Sequence, residues 1–163
     1  MPTSTYKPIA NLTVTSAVTS VAFSGITQAY RDIVCIISVK QTTSVSGLSL
    51  IFNSDTSSNY NRITMHTNGA GSYGSYSGTQ TALNINYHGA LTASGSNCIV
   101  NIMDYSATDK HKGVLCRLNA PGNEVVAQGY KWGSNSAITS IIVDSQGAQF
   151  DPGSVISLYG IVA

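Results

Sequence analysis

The sequence predicts an all-β protein: an antiparallel β-sandwich, jelly-roll-like, built from about ten short strands. Three observations lead there. Apolar residues recur with the two-residue period of a half-buried strand or as short unbroken runs. Turn-forming clusters interrupt them about every 8–12 residues, as in sandwiches and barrels. No window sustains the 3.6-residue apolar spacing of a helix through three turns.

The elements follow in order. Leu12, Val14, Val18, Val21 and Phe23 lie among Ser and Thr and open the chain with a β-prone segment. IVCIISV at 33–39 is apolar enough for a fully buried strand. In GLSLIFN at 47–53, Leu48, Leu50 and Phe52 alternate with Ser49, Ile51 and Asn53, so one face packs on a core and the other is mixed. Similar units lie at 60–67, 83–87, 98–105, 113–119, 125–132, 138–144 and 155–162. Turn chemistry separates them: NSDTSSN at 53–59, NGAG at 68–71, residues 106–112, APGN at 120–123, SQG at 145–147 and DPG at 151–153. No composition break marks a boundary, so residues 1–163 read as a single domain. Within it, the Gly/Ser/Tyr stretch at 69–78 is expected to be a flexible surface loop. Residues 1–11, with Pro2 and Pro8, are expected to form an extended N-terminal arm able to lie on a neighbouring subunit.

Composition narrows the function. Charged residues are 9% of the chain, against about 25% in an ordinary domain. The formal net charge is +1 and there is no basic run, which argues against nucleic-acid binding through phosphate neutralisation. A hydrophobic fraction of 42% in patterned runs argues against disorder. No apolar run approaches the roughly 18 residues of a membrane span, and MPTSTYKPIANLTV lacks the apolar core of a signal peptide. The expectation is a protein without membrane association and not secreted by its own signal, which leaves the sequon at Asn11 without meaning. Cys35, Cys98 and Cys116 are odd in number and lie within strand-like runs, so they read as small buried residues kept reduced.

Chemistry-bearing patterns are scarce. Asp32, Asp55, Asp104, Asp109, Glu124, Asp144 and Asp151 are each isolated, although Asp104 and Asp109 flank a polar corner with Lys110, His111 and Lys112. His66 and His88 lack the spacing of a zinc site. Gly74 and Gly78 frame Tyr76 where a nucleophile elbow needs Ser or Cys. Asn53, Asp55 and Asn59 fit Asx-capped turns better than a calcium loop. The chain is therefore expected not to be an enzyme and to use no cofactor or metal. Nine Tyr and one Trp against three Phe suit rings that are part buried and part wet. Tyr73, Tyr76 and Trp132 are the candidate interface or glycan contacts, Trp132 also being a natural core anchor.

Four stretches together resemble one family. They are FSGITQAYRDIVCIISV at 23–39, LSLIFNSDTSSNYNRITMHTNG at 48–69, VNIMDYSATDKHKGVLCRLN at 100–119, and WGSNSAITSIIVDSQGAQFDPGSVISLYGI at 132–161. Their order, the Phe-Asn-x-Asp piece and the closing Leu-Tyr-Gly-Ile are similar to small β-rich accessory structural proteins of tailed bacteriophage virions. The resemblance implies a structural role with no catalytic residue to carry over. The chain has no repeat or shaft of the kind a receptor-binding fibre uses, so the expected seat is a capsid decoration (cement) protein that binds and stabilises the assembled major capsid shell. The implied partner is the major capsid protein, the implied form a homo-oligomer, trimer favoured, and the implied location the virion assembled in the host cytoplasm. The alternative is a tail- or fibre-associated host-adhesion module in which Tyr73, Tyr76 and Trp132 stack on a host glycan.

Overall fold

The computed structural model describes residues 4–41, 47–67, 73–85, 95–120 and 124–162. Among these the secondary structure is strand throughout: β1 Tyr6–Thr13, β2 Ser20–Phe23, β3 Asp32–Val39, β4 Ser49–Phe52, β5 Tyr60–Thr67, β6 Tyr73–Gln80, β7 Leu83–Asn84, β8 Ser96–Ile102, β9 Lys112–Ala120, β10 Glu124–Trp132, β11 Ile141–Asp144 and β12 Val155–Ile161. They form an eight-stranded sheet, β1-β12-β3-β8-β9-β10-β5-β6, and a four-stranded sheet, β2-β11-β4-β7. Every neighbouring pair is antiparallel. With β5–β6 and β9–β10 set aside, the other eight strands order as 1-12-3-8 in one sheet and 2-11-4-7 in the other.

Burial alternates as the pleat requires. In β8, Ser96, Cys98, Val100 and Ile102 point inward while Asn97 and Ile99 face out. The core lies between the sheets, with Ile33, Cys35 and Ile37 of β3, Val100 and Ile102 of β8 and Ile156 and Leu158 of β12 facing Leu50 and Phe52 of β4 and Ile141 and Val143 of β11. Each such side chain contributes about 1.5–3 kcal/mol through burial.

Three expectations change. The N-terminal arm is instead a strand of its own sheet from Tyr6 onward: β1 pairs with β12 from Tyr6 opposite Ile161 to Thr13 opposite Val155, with a bulge between Pro8 and Ala10. Pro8 is tolerated there because β1 is an edge strand and its missing N–H interrupts no interior ladder. The stretch expected as a flexible loop at 69–78 is strand from Tyr73, paired with β5 in unbroken register, while 68–72 lie outside the described residues. Gly and Ser lower strand propensity, but β5 supplies a complete neighbouring backbone to pair with. The β-prone opening divides into β1 and β2, and between them Val18 makes an isolated bridge to Phe150.

One close contact explains the glycine of the closing Leu-Tyr-Gly-Ile. A Cβ on Gly160 would sit 2.2 Å from ring carbons of Tyr30, so only glycine lets β12 run beneath that ring. Gly160→Ala is expected to destabilise the fold by about 1–3 kcal/mol through overpacking. In a denaturant-unfolding double-mutant cycle, Tyr30→Ala should recover most of that loss, and simple additivity of the two substitutions would refute the contact.

The three thiols are free and buried. Cys35 and Cys116 both register against Val100, from the two strands flanking β8. Burial pushes the Cys35 thiol up to about 12 and raises Cys98 and Cys116 as well. Thiolate is the reactive form. All three cysteines should therefore resist an aromatic disulfide reagent at pH 8 in the folded protein and react together once denaturant unfolds it, read as chromophore release.

Candidate functional site

The first candidate, Trp132, is an internal anchor. It ends β10 with 1% of its surface exposed, so it cannot act as an interface or glycan contact, and that expectation is corrected. Its ring stacks on Tyr60 at 6.4 Å between centroids and meets Phe52 edge-on at 5.6 Å. Phe52 belongs to the small sheet and Tyr60 and Trp132 to the large one, so the cluster joins the sheets. Trp132 Nε1 donates to Asp55 Oδ2 at 2.8 Å, and the Tyr60 hydroxyl accepts from Phe52 N at 2.9 Å. The Lys112 ammonium lies 5.9 Å from the indole centroid and donates to the Lys110 carbonyl at 2.8 Å, with longer contacts to the Asn135 and Ser134 carbonyls. A partnered, buried lysine of this kind is a positional feature.

The Asn53, Asp55, Asn59 group is likewise architectural. Asn53 and Ser54 have positive φ. Asn53 Oδ1 accepts from Thr139 N and Ser140 N, and its Nδ2 donates to Ala137 O, clamping the segment that leads into β11. Asp55 Oδ1 accepts from Ser57 N and its Oδ2 from Asn59 Nδ2, an Asx turn as expected. The Asn59 hydrogen bond, with those from Trp132 and Ser57, holds the Asp55 carboxyl down to about 2 from 3.8.

The polar corner dissolves in the same way. Asp104 has a φ of 50° and its N–H donates to Asp32 Oδ1 at 2.8 Å. Asp104 Oδ2 meets the exposed Lys110 ammonium at 3.4 Å. The Tyr105 hydroxyl donates to Thr27 O and accepts from Tyr30 N. These bonds fasten the loop before β3 to the turn after β8. Among the described residues no group of three or more His, Cys, Asp or Glu side chains could hold a metal. His88 lies outside the described residues, and His66 is half-buried on β5.

Tyr73 and Tyr76 lie on β6, and their side chains are outside the described residues. Position 73 registers with Thr67 and position 76 with Thr64.

What sequence reasoning missed is the outer face of the large sheet. Along β10, Ala127 and Gly129 are small, and each sits between larger neighbours: Ala127 between Met65 and Arg117, Gly129 between Ile63 and Leu115. The result is a trough of about 560 Å³ floored by β10 and walled by β5 and β9. Ile63 is 65% exposed, Met65 64% and Leu115 53%, Arg117 stands beside Ala127, and Val125, Ile99, Met103 and Ile36 are further exposed apolar side chains of the large sheet and its margin. Exposed apolar side chains grouped in this way, as Ile63, Met65 and Leu115 are, mark an interaction surface more often than a resting monomer face. Its signal in the sequence is the alternation YNRITMHT, which offers Ile63 and Met65 on one side and Tyr60, Arg62 and Thr64 on the other. Because Tyr60 is fixed inward by Trp132, the two-residue period carries Arg62 and Thr64 inward and turns Ile63 and Met65 out.

No protein-family model matches the chain, and no curated protein matches it in sequence.

Asp55→Ala is expected to cost about 1–3 kcal/mol, because the buried Trp132 N–H loses its acceptor. Denaturant titration followed by Trp132 fluorescence measures this. The Asp55 carboxyl titrates lower when folded, so its contribution is complete above about pH 4 and is lost as pH falls towards 2. Asp55→Asn should flatten that part of the stability–pH profile, and an unchanged profile would exclude Asp55 as its source.

Proposed function

We propose that this chain is a non-enzymatic structural protein of a tailed-bacteriophage virion: a capsid decoration protein that binds and stabilises the assembled shell of major capsid protein in symmetric copies. The observation that carries this reading is the apolar trough on the outer face of the large sheet. It presents Ile63, Met65 and Leu115 on rigid paired strands, in a chain whose charged fraction is 9%. Arg117 is the charged residue among those lining the trough, so a protein covering it has one ion there to pair or leave hydrated, the burial of an unpaired ion costing several kcal/mol.

Connectivity supports the same class. We read the 1-12-3-8 and 2-11-4-7 orders as a jelly roll with two strand pairs, β5–β6 and β9–β10, inserted into one sheet. Jelly rolls serve in viral capsid and lectin domains, so fold alone leaves both seats open and the surface must choose. The adhesion alternative relied on three rings. Trp132 is internal, so the apolar protein contact offered by the trough is the better supported use.

Capsids assembled without this protein, then mixed with it, test the reading. Bound protein visible on the shell by electron cryomicroscopy, and a raised capsid melting temperature, are the expected results. Paired Met65→Glu and Leu115→Glu substitutions should weaken capsid binding at least about tenfold, since charge on an apolar contact must be desolvated. Protein found only at the tail tip, or capsids equally stable without it, would sink the proposal.

A further inference from the structure

A β-sheet edge exposes unpaired N–H and C=O groups, and proteins ordinarily guard it with short length, charge, proline or a bulge. Among the described residues the two sheets have four edges: β1 and β6 on the large one, β2 and β7 on the small one. β1 carries Lys7, Pro8 and a bulge. β2 is four residues long and β7 two, too short to template much pairing. β6 has none of these protections. Its sequence YGSYSGTQ runs for eight residues with no charge and no proline, and its register to β5 is unbroken from Tyr73 to Gln80.

We propose that β6 is a strand-addition edge and that its occupant is β6 of a second copy of this chain, paired antiparallel across a two-fold axis. Several features favour a copy over an unrelated segment. What completes a strand edge is another extended backbone, and an identical antiparallel strand offers eight residues of matched length. Without a charge anywhere in YGSYSGTQ, no register opposes like charges, which is the usual obstacle to self-pairing. Gly74 and Gly78 leave room for close approach of another backbone. An isologous contact also closes on itself, so the bare edge gives a dimer rather than a growing fibre. The pairing would join two eight-stranded sheets edge to edge and place both troughs on one continuous outer surface.

This inference does not depend on the virion reading, and its test uses the free protein. Sedimentation velocity at tens of micromolar should give twice the 17.0 kDa chain mass. Ser77→Lys with Thr79→Lys, both at exposed positions of β6, should weaken self-association at least about tenfold by setting like charges near one another across the new pair. Met65→Lys with Leu115→Lys in the trough should leave the dimer intact. A monomeric wild type, a trimer, or a dimer that survives the β6 substitutions and is lost with the trough pair would overturn the proposal. If the lysine variants fail to fold, amide exchange in the unaltered protein decides. Alternate amides within residues 73–80 should be protected at high concentration and exposed on dilution, and concentration-independent exchange would refute the pairing.

Discussion

The Trp132 cluster is the contact on which the rest of the structure depends. It packs Trp132 and Tyr60, from neighbouring strands of the large sheet, against Phe52 of the small one, and ties the indole N–H to Asp55 in the loop between β4 and β5. Aromatic pairs of this geometry add about 0.5–1.5 kcal/mol each beyond the area they bury. Their larger effect is on phase. A strand has two faces related by a one-residue shift, so fixing one residue inward decides every other. With Trp132 and Tyr60 inside, Tyr130, Gln128 and Val126 follow on β10, and Arg62 and Thr64 follow on β5. The inner face of this half is consequently part polar, with Gln128 Nε2 donating to Thr64 Oγ1 at 3.0 Å and the Tyr130 hydroxyl donating to Asn84 O. The outer face receives Ile63, Met65, Leu115 and Val125, together with Arg117 and Lys131.

The residues that carry the virion resemblance gather at joints between elements. Phe52 fills the core, Asn53 clamps 137–140, and Asp55 holds the indole. Tyr30 lies on Gly160, Asp32 accepts the Asp104 N–H, and Tyr105 bonds to Thr27 and Tyr30. Each piece of the pattern meets another piece far away in sequence. A pattern made of joints describes how a sandwich is held together. Ile63, Met65 and Leu115 lie in the same stretches but on the outer face of the large sheet, apart from these joints.

The scarcity of charge acts at the surface in two ways. It leaves Arg117 as the charged residue among those lining the trough, and it leaves β6 without the lysines that normally keep strand edges apart. Both features belong to the β5–β6 and β9–β10 pairs that lengthen one sheet beyond the other. The eight strands outside those pairs build most of the core, and the added strands supply the proposed contacts.

The sequence by itself determined the strand class, most strand positions and the polar, nearly uncharged character of the surface, because these depend on local period, turn chemistry and composition. Residues 60–67 and 125–132 were legible almost to their ends, the first matching β5 and the second β10 from its second residue. Tyr6–Thr13 and Tyr73–Gln80 were not, since a proline-bearing arm and a Gly/Ser/Tyr stretch become strands only when β12 and β5 supply the neighbouring backbone. The candidate site was legible only as residue types. Trp132 stood out as a ring, yet whether it faced water or the core depended on Phe52 and Tyr60, which meet it through the fold. The same holds for Ile63 and Met65: alternation shows that a strand has two faces, and only packing against the opposite sheet decides which one is inside.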